Sequence, residues 1–291
     1  MTTFAQLLVS GITVGAIYAL VAIGFTLVYR ASDVFNLAQG EFFMLGGMIA
    51  GVMLVGNAGG PGLASISSIA VTVAAGIGLY IFCIRPAKTT NPVQLLIITI
   101  GASVLIRGLV SATLGKDFVR IPNFFSPEIV TVSGVVIQTQ AMVVILGAAI
   151  IIGALWLFLS GTAVGKAIVA VASNDMASRL VGINPAVMIC VCFGISALIG
   201  AIGGLIATPI TMTSYDAGTM LAVKGFAAAM LGGMGTPAGP LFGGLMIGLL
   251  EAFGAGYLSS TYKDVFALVV MLLVFAFKPQ GIFGGQNVQR V

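Results

Sequence analysis

The sequence predicts an all-α polytopic membrane protein. It has about seven to eight transmembrane helices, a Gly-rich re-entrant helix pair and one short cytoplasmic helix, all within a single domain over residues 1–291. Three observations predict this. The chain is 59% hydrophobic and only 7% charged, too few charges for a water-soluble fold of 291 residues. Its apolar runs are roughly 20 residues long, enough for a helix to cross a hydrocarbon layer of about 30 Å. The runs also lack the alternation of a barrel, so helices are left to satisfy the backbone in lipid.

In order, spans fall near 7–29, 40–56, 65–84, 94–114, 141–160 and 186–208, with a last one at 264–278. The first reads as a retained helix, because no basic stretch precedes it and no small-residue cleavage site follows a short apolar core. SDVFNLAQG at 32–40 breaks the chain before the second span. The loop 115–140 is the longest polar connection on its side, and TVSGVVIQ within it suits a short strand or an interfacial turn. Residues 209–262 must cross an even number of times or dip and return. The apolar piece 221–234 is short for a span, and GMGTPAGP at 233–240 cannot continue a helix. Both facts are met by a re-entrant pair over 221–257 whose non-helical tip lies near mid-membrane. Gly11 and Gly15, Gly47 and Gly51, Gly200 and Gly204, and Gly244 and Gly248 have the spacing of close helix packing.

Alternation of the spans puts Arg30, Lys166, Arg179, Lys278 and Arg290 on one side. The other side carries Lys116, Arg120 and Lys263, offset by Asp117, Glu128 and Asp264. The positive-inside rule makes the first group cytoplasmic, which puts the N-terminus outside and residues 163–185 inside. Tyr29, Tyr80 and Trp156 are expected in an inner aromatic belt, and Tyr257 and Tyr262 in an outer one. Histidine is absent, and Cys83, Cys190 and Cys192 lie in apolar runs as packing residues, without metal or disulfide spacing. No basic cluster points to nucleic acid. With no P-loop and no acid–base constellation, the chain reads as a non-enzyme that needs no cofactor of its own.

Polar groups at depth are the candidate pathway. Lys224 and Glu251 stand at similar distances from the Gly235–Gly239 turn, so they reach similar depth on antiparallel helices. They are expected to face the interior as an ion pair, the alternative being two separate side chains snorkelling to the outer surface. Asn36, Gln39 and Glu41 flank Gly40 at the start of the second span. A helix starting at depth offers free amides to a carboxylate, and Glu41 suits an ammonium group; Glu41 as a plain interfacial cap is the alternative. Gly225 joins this set beside Lys224. Arg107 is expected to snorkel outward, and Tyr18 to be a packing residue.

Residues 163–185, AVGKAIVAVASNDMASRLVGINP, are the long polar interruption between two apolar spans. Ser173 or Asn174 can cap a short helix in which Asp175 meets the helix dipole, and Gly182 can close it. Asn184-Pro185 opens the next helix. GKAIVAVASNDMASRLVGIN (165–184) resembles the loop by which permeases of ATP-binding-cassette importers meet their ATPases. It is most similar to the form in branched-chain amino acid importers. GAIYALVAIGFTLVYRASDVFNLAQGEFFMLGG, NPVQLLIITIGASVLIR, KGFAAAMLGGMGTPAGPLFGGLMIGLLE and FKPQGIFG extend the resemblance over nearly the whole chain. Gln39 stands where that family often has histidine, and the usual acidic start of the loop is absent.

The resemblance implies a permease subunit of an ATP-driven importer for branched-chain or similar small carboxylated solutes. Its ATP would be bound by two ATPase subunits, gripping Asn174, Asp175, Met176, Ala177, Arg179, Leu180 and Gly182. It further implies a second permease subunit of a different chain, a periplasmic substrate-binding protein and a bacterial inner membrane. The rival reading is a channel or ion-coupled carrier, which should show acidic or histidine relays in its spans. A structural scaffold would not explain the Gly-Pro region.

Overall fold

The structure is a computed structural model that describes residues 2–56, 60–87, 91–123, 125–126, 129–132, 135–234, 238–259, 263–278 and 281–283. Helix α1 (Thr2–Ser32) ends where Asp33 turns to a positive φ of 55°. Residues 33–38 are irregular before α2 (Gln39–Val55) begins. Helix α3 (Pro61–Gly78) starts on a proline and runs on through a π turn, Leu79–Ile84, and a 3-10 turn, Arg85–Ala87. Asn91 caps α4 (Pro92–Thr113) by accepting from the Val93 amide at 3.0 Å. The outer connection holds a two-stranded antiparallel hairpin, β1 (Ile129–Val132) and β2 (Val135–Gln138), resolving the strand-or-turn alternative in favour of strands.

Helix α5 (Thr139–Gly161) leads into α6 (Ala163–Ser173) and α7 (Asp175–Leu180). They are followed by α8 (Pro185–Thr211), α9 (Ala217–Gly232), α10 (Gly239–Tyr257) and α11 (Lys263–Phe277). Among the described residues, six helices are long and apolar enough to cross a membrane: α1, α3 with its extension, α4, α5, α8 and α10. Helices α2 and α9 are apolar but shorter.

The bundle is organised around α1. Helix α10 lies antiparallel to it, with Gly248 against Gly11 and Gly15, Gly244 against Ala19, and Gly256 against Leu7. A side chain at Gly248 or Gly244 would run into the α1 backbone. This is the close approach that small residues at four-residue spacing permit. Helix α8 packs on α2 in the same way, Gly200 and Gly204 receiving Phe42 and Phe43. Buried Leu20, Val21, Phe25, Ile199, Leu231 and Ile247 join α1, α8, α9 and α10 in one core.

The helix pair α9–α10 forms as the sequence implies, but its turn does not stop at mid-membrane. Pro240 lies with Arg30, Ala31 and Ala172 around one apolar pocket, so the start of α10 reaches the C-terminal end of α1. Gly232 and Leu231 accept from the Phe283 and Ile282 amides there. The glycine seam explains the difference: it lets α10 lie along nearly all of α1. The expected tip at Gly235 falls outside the described residues, as do Glu128, Tyr262 and Arg290. At the opposite end, Val119 and Thr213 exchange backbone hydrogen bonds, tying the outer loop to the α8–α9 connection.

Trp156 and Tyr257 are exposed, as belt residues should be. Tyr80 is not. It is buried with its ring 5.5 Å from Phe193, because the π turn rotates it into the bundle.

Candidate functional site

The interior holds two charged clusters. The first is built on the break between α1 and α2. Asn36, Gln39 and Glu41 are all fully buried. Asn36 Oδ1 accepts from the Ala38 amide at 3.2 Å, and the Asn36 carbonyl accepts from the Gln39 amide. The Glu41 amide donates to the Ala38 carbonyl. The free amides expected at the start of α2 are therefore already engaged for Ala38, Gln39 and Glu41. Gln39 is held by α8: its Oε1 accepts from Ser196 Oγ at 2.5 Å, and its Nε2 donates to the Ser196 carbonyl at 3.2 Å. Gly40 meets Gly218 and Ala222 of α9 so closely that a side chain would not fit.

The Glu41 carboxylate crosses to the middle of α4. Oε1 accepts from Ser103 Oγ at 2.8 Å and stands 3.4 Å from Arg107 Nε. Thr99, Ser103 and Arg107 occupy successive i, i+4 positions, so one stripe of α4 faces this region. Thr99 itself donates to the Phe35 carbonyl and accepts from the Leu37 amide. Arg107 thus turns inward to Glu41 instead of snorkelling outward, because a buried carboxylate attracts it more strongly than the interface does. Sequence reasoning missed this, although the polar stripe on an apolar helix was its signal. Among the described residues, three buried side-chain atoms make no hydrogen bond: Asn36 Nδ2, Glu41 Oε2 and Arg107 Nε.

The second cluster joins α1, α9 and α10. Lys224 Nζ donates to both Glu251 oxygens, at 3.0 and 3.1 Å. Tyr18 donates to Glu251 Oε2 at 2.7 Å and accepts from Lys224 at 3.0 Å. The Lys224 ammonium also lies 5.3 Å from the centre of the Tyr18 ring. Lys224 and Glu251 pair in the interior, as their spacing about the turn predicts. Tyr18 is more than packing: its hydroxyl closes the network. Gly225, the next residue, is buried against Val21 and gives α9 its close seat on α1.

At the end of the bundle where α1 finishes, α7 is a capped helix standing clear of the other helices. Asn174, not Ser173, is the cap; its Oδ1 accepts from the Ala177 amide at 2.9 Å. Ser173 instead closes α6, donating to the Val169 carbonyl. Gly182 has φ 84°, and the Gly182 and Ile183 amides donate to the Arg179 and Ser178 carbonyls, which ends the helix. Asn184 then caps α8 through the Ala186 amide. Ser178 alone on α7 is buried; Asn174, Asp175, Met176, Ala177, Arg179, Leu180 and Gly182 are exposed. Met176, Leu180 and Val181 are 76%, 85% and 75% exposed, an apolar tip on an otherwise polar turn. Arg179 and Asp175 pair at 3.0 Å across one turn.

Residues 7–275 match the family of branched-chain amino acid transport system permease components. The chain is 33% identical to the high-affinity branched-chain amino acid transport system permease protein BraD of Pseudomonas aeruginosa, over 99% of this chain and 98% of that protein. It is 32% identical, with the same coverage, to the corresponding permease protein LivH of Escherichia coli. A probable branched-chain amino acid transport permease protein of Methanocaldococcus jannaschii is 29% identical over 91% of this chain and 88% of its own length. No solved structure matches the chain.

Proposed function

This chain belongs to the family of branched-chain amino acid transport permease components, and on that premise we propose that it is the membrane subunit of an ATP-driven importer for branched-chain or similar small amino acids. The observation that carries the proposal is α7. A six-residue helix fixed by a cap at each end, with Met176, Leu180 and Val181 bare, is a docking element. Its partner is an ATPase subunit in the cytoplasm. Met176, Ala177 and Leu180 enter the ATPase surface, while the Asp175–Arg179 pair sets the register.

ATP is bound by two such partner subunits, and closure of the pair drives exchange between inward- and outward-facing states. A second permease, a different chain of the same type, completes the path. A periplasmic binding protein delivers substrate to the outer face near the β1–β2 hairpin. The setting is a bacterial inner membrane. Asn36, Gln39, Gly40 and Glu41 stand on the path at mid-depth. Lys224, Gly225 and Glu251 stand on the helix pair that faces them.

The test is reconstitution. Tagged protein solubilised in mild detergent should bring ATPase subunits with it, and proteoliposomes holding the complex should take up radiolabelled L-leucine only with ATP inside the ATPase compartment and binding protein outside. Uptake by the chain alone, driven by an ion gradient, would instead establish the carrier reading.

A further inference from the structure

The two buried clusters differ in a way that assigns them different work. Around Lys224, Glu251 and Tyr18 the hydrogen bonds are 2.7–3.1 Å long, and both carboxylate oxygens are engaged. A fully satisfied polar network in an apolar interior is rigid and holds its helices in register. Around Glu41 the network is incomplete. Oε2 has no hydrogen-bond partner, and Arg107 faces Oε1 without donating to it through Nε. A charge near mid-membrane is costly, so a native protein keeps an under-satisfied one where another partner comes and goes.

Position supports the same reading. Ser103, the Glu41 partner, is halfway along α4, so the carboxylate lies at mid-depth. Two helices begin beside it: α2, through Gly40, and α9, through Gly218, which packs on the Glu41 carboxylate itself. Glu41 is sealed, but the Arg107 side chain is 28% exposed. Arg107 therefore reaches the surface of the chain, and Asp216, Thr219 and Met220 at the α9 start are exposed as well.

We propose that Glu41 and Arg107 are the substrate-recognising pair of the path, and that a zwitterionic α-amino acid passes by separating them. Its ammonium group takes Glu41 Oε2, and its carboxylate takes the Arg107 guanidinium. Each charge released from the internal pair is met at once by the opposite charge of the substrate, so neither is left bare in the membrane. Anions and cations without the second charge leave one partner unmatched and are disfavoured. The Lys224–Glu251–Tyr18 network takes no part in recognition. The proposal rests on the permease reading above and deepens it.

The experiment uses the whole transporter in proteoliposomes with its binding protein and radiolabelled L-leucine. E41Q and R107Q are each expected to lower maximal uptake at least about tenfold while apparent KM moves by no more than about twofold, since the loaded binding protein sets KM. ATPase stimulation by leucine-loaded binding protein should persist in both, and R107K should regain part of the rate. The double variant E41L/R107L removes the charges without leaving one unpaired. It should assemble and remain as slow as the single variants. If it transports near the unmodified rate, or if the single variants do, the pair is structural and the inference fails. Loss of ATP-dependent leucine uptake in the unmodified complex would count against the permease reading instead.

Discussion

At the scale of single residues, the cost of an unmatched charge governs behaviour. Removing Lys224 takes its counter-charge from the buried Glu251 carboxylate, at a penalty of about 3–5 kcal/mol. Lys224→Met should therefore lower the melting temperature of the detergent-solubilised protein far more than Tyr18→Phe, which removes a hydroxyl worth about 1 kcal/mol. Adding Glu251→Leu to Lys224→Met should restore most of the loss, because an apolar pair fills the same space without a stranded carboxylate. Lys224 and Glu251 could be matched in the sequence because a turn between antiparallel helices fixes relative depth. Tyr18 and Arg107 could not. A lone mid-span tyrosine gives no sign of helix rotation, and the stripe Thr99, Ser103 and Arg107 marks a face of α4 without naming the carboxylate that it meets.

At the scale of elements, short helices owe their existence to their ends. An isolated six-residue helix has too few internal hydrogen bonds to persist by propensity. In α7 the Asn174 cap, the Asp175 dipole contact and the Gly182 turn substitute for length. Asn174→Ala should cost about 1 kcal/mol of local helix stability, seen as faster amide hydrogen exchange confined to 175–180. Leu180→Glu should leave membrane levels unchanged and sharply reduce the ATPase that co-purifies. A variant that still retains the ATPase would remove α7 from the docking surface. These ends were readable, since capping chemistry is local. The depth of the α9–α10 turn was not, because it is set by how far α10 slides along α1, a matter between elements distant in sequence.

At the scale of the molecule, the α1–α10 seam decides the fold. The spacing of Gly11 and Gly15, and of Gly244 and Gly248, marked each helix as able to pack closely. That these two pairs meet each other becomes visible only in three dimensions. Gly15→Leu or Gly248→Leu should force the backbones apart and deplete folded protein from the membrane. Cysteines in place of Phe4 and Phe253, whose rings stack 5.4 Å apart across the same two helices, should be joined by a short bifunctional thiol reagent; failure to do so would exclude this antiparallel register. The spans, their order and their charge bias were readable because lipid enforces them through length and composition. The polar centre was only half readable, since Glu41 announces itself and its partners on α4 do not.

The seam also constrains motion. Two rods locked backbone to backbone at Gly15, Gly244 and Gly248 cannot roll or slide without being prised apart. They travel as one stave. Any change in which end of the passage stands open must then be taken up elsewhere than along this seam.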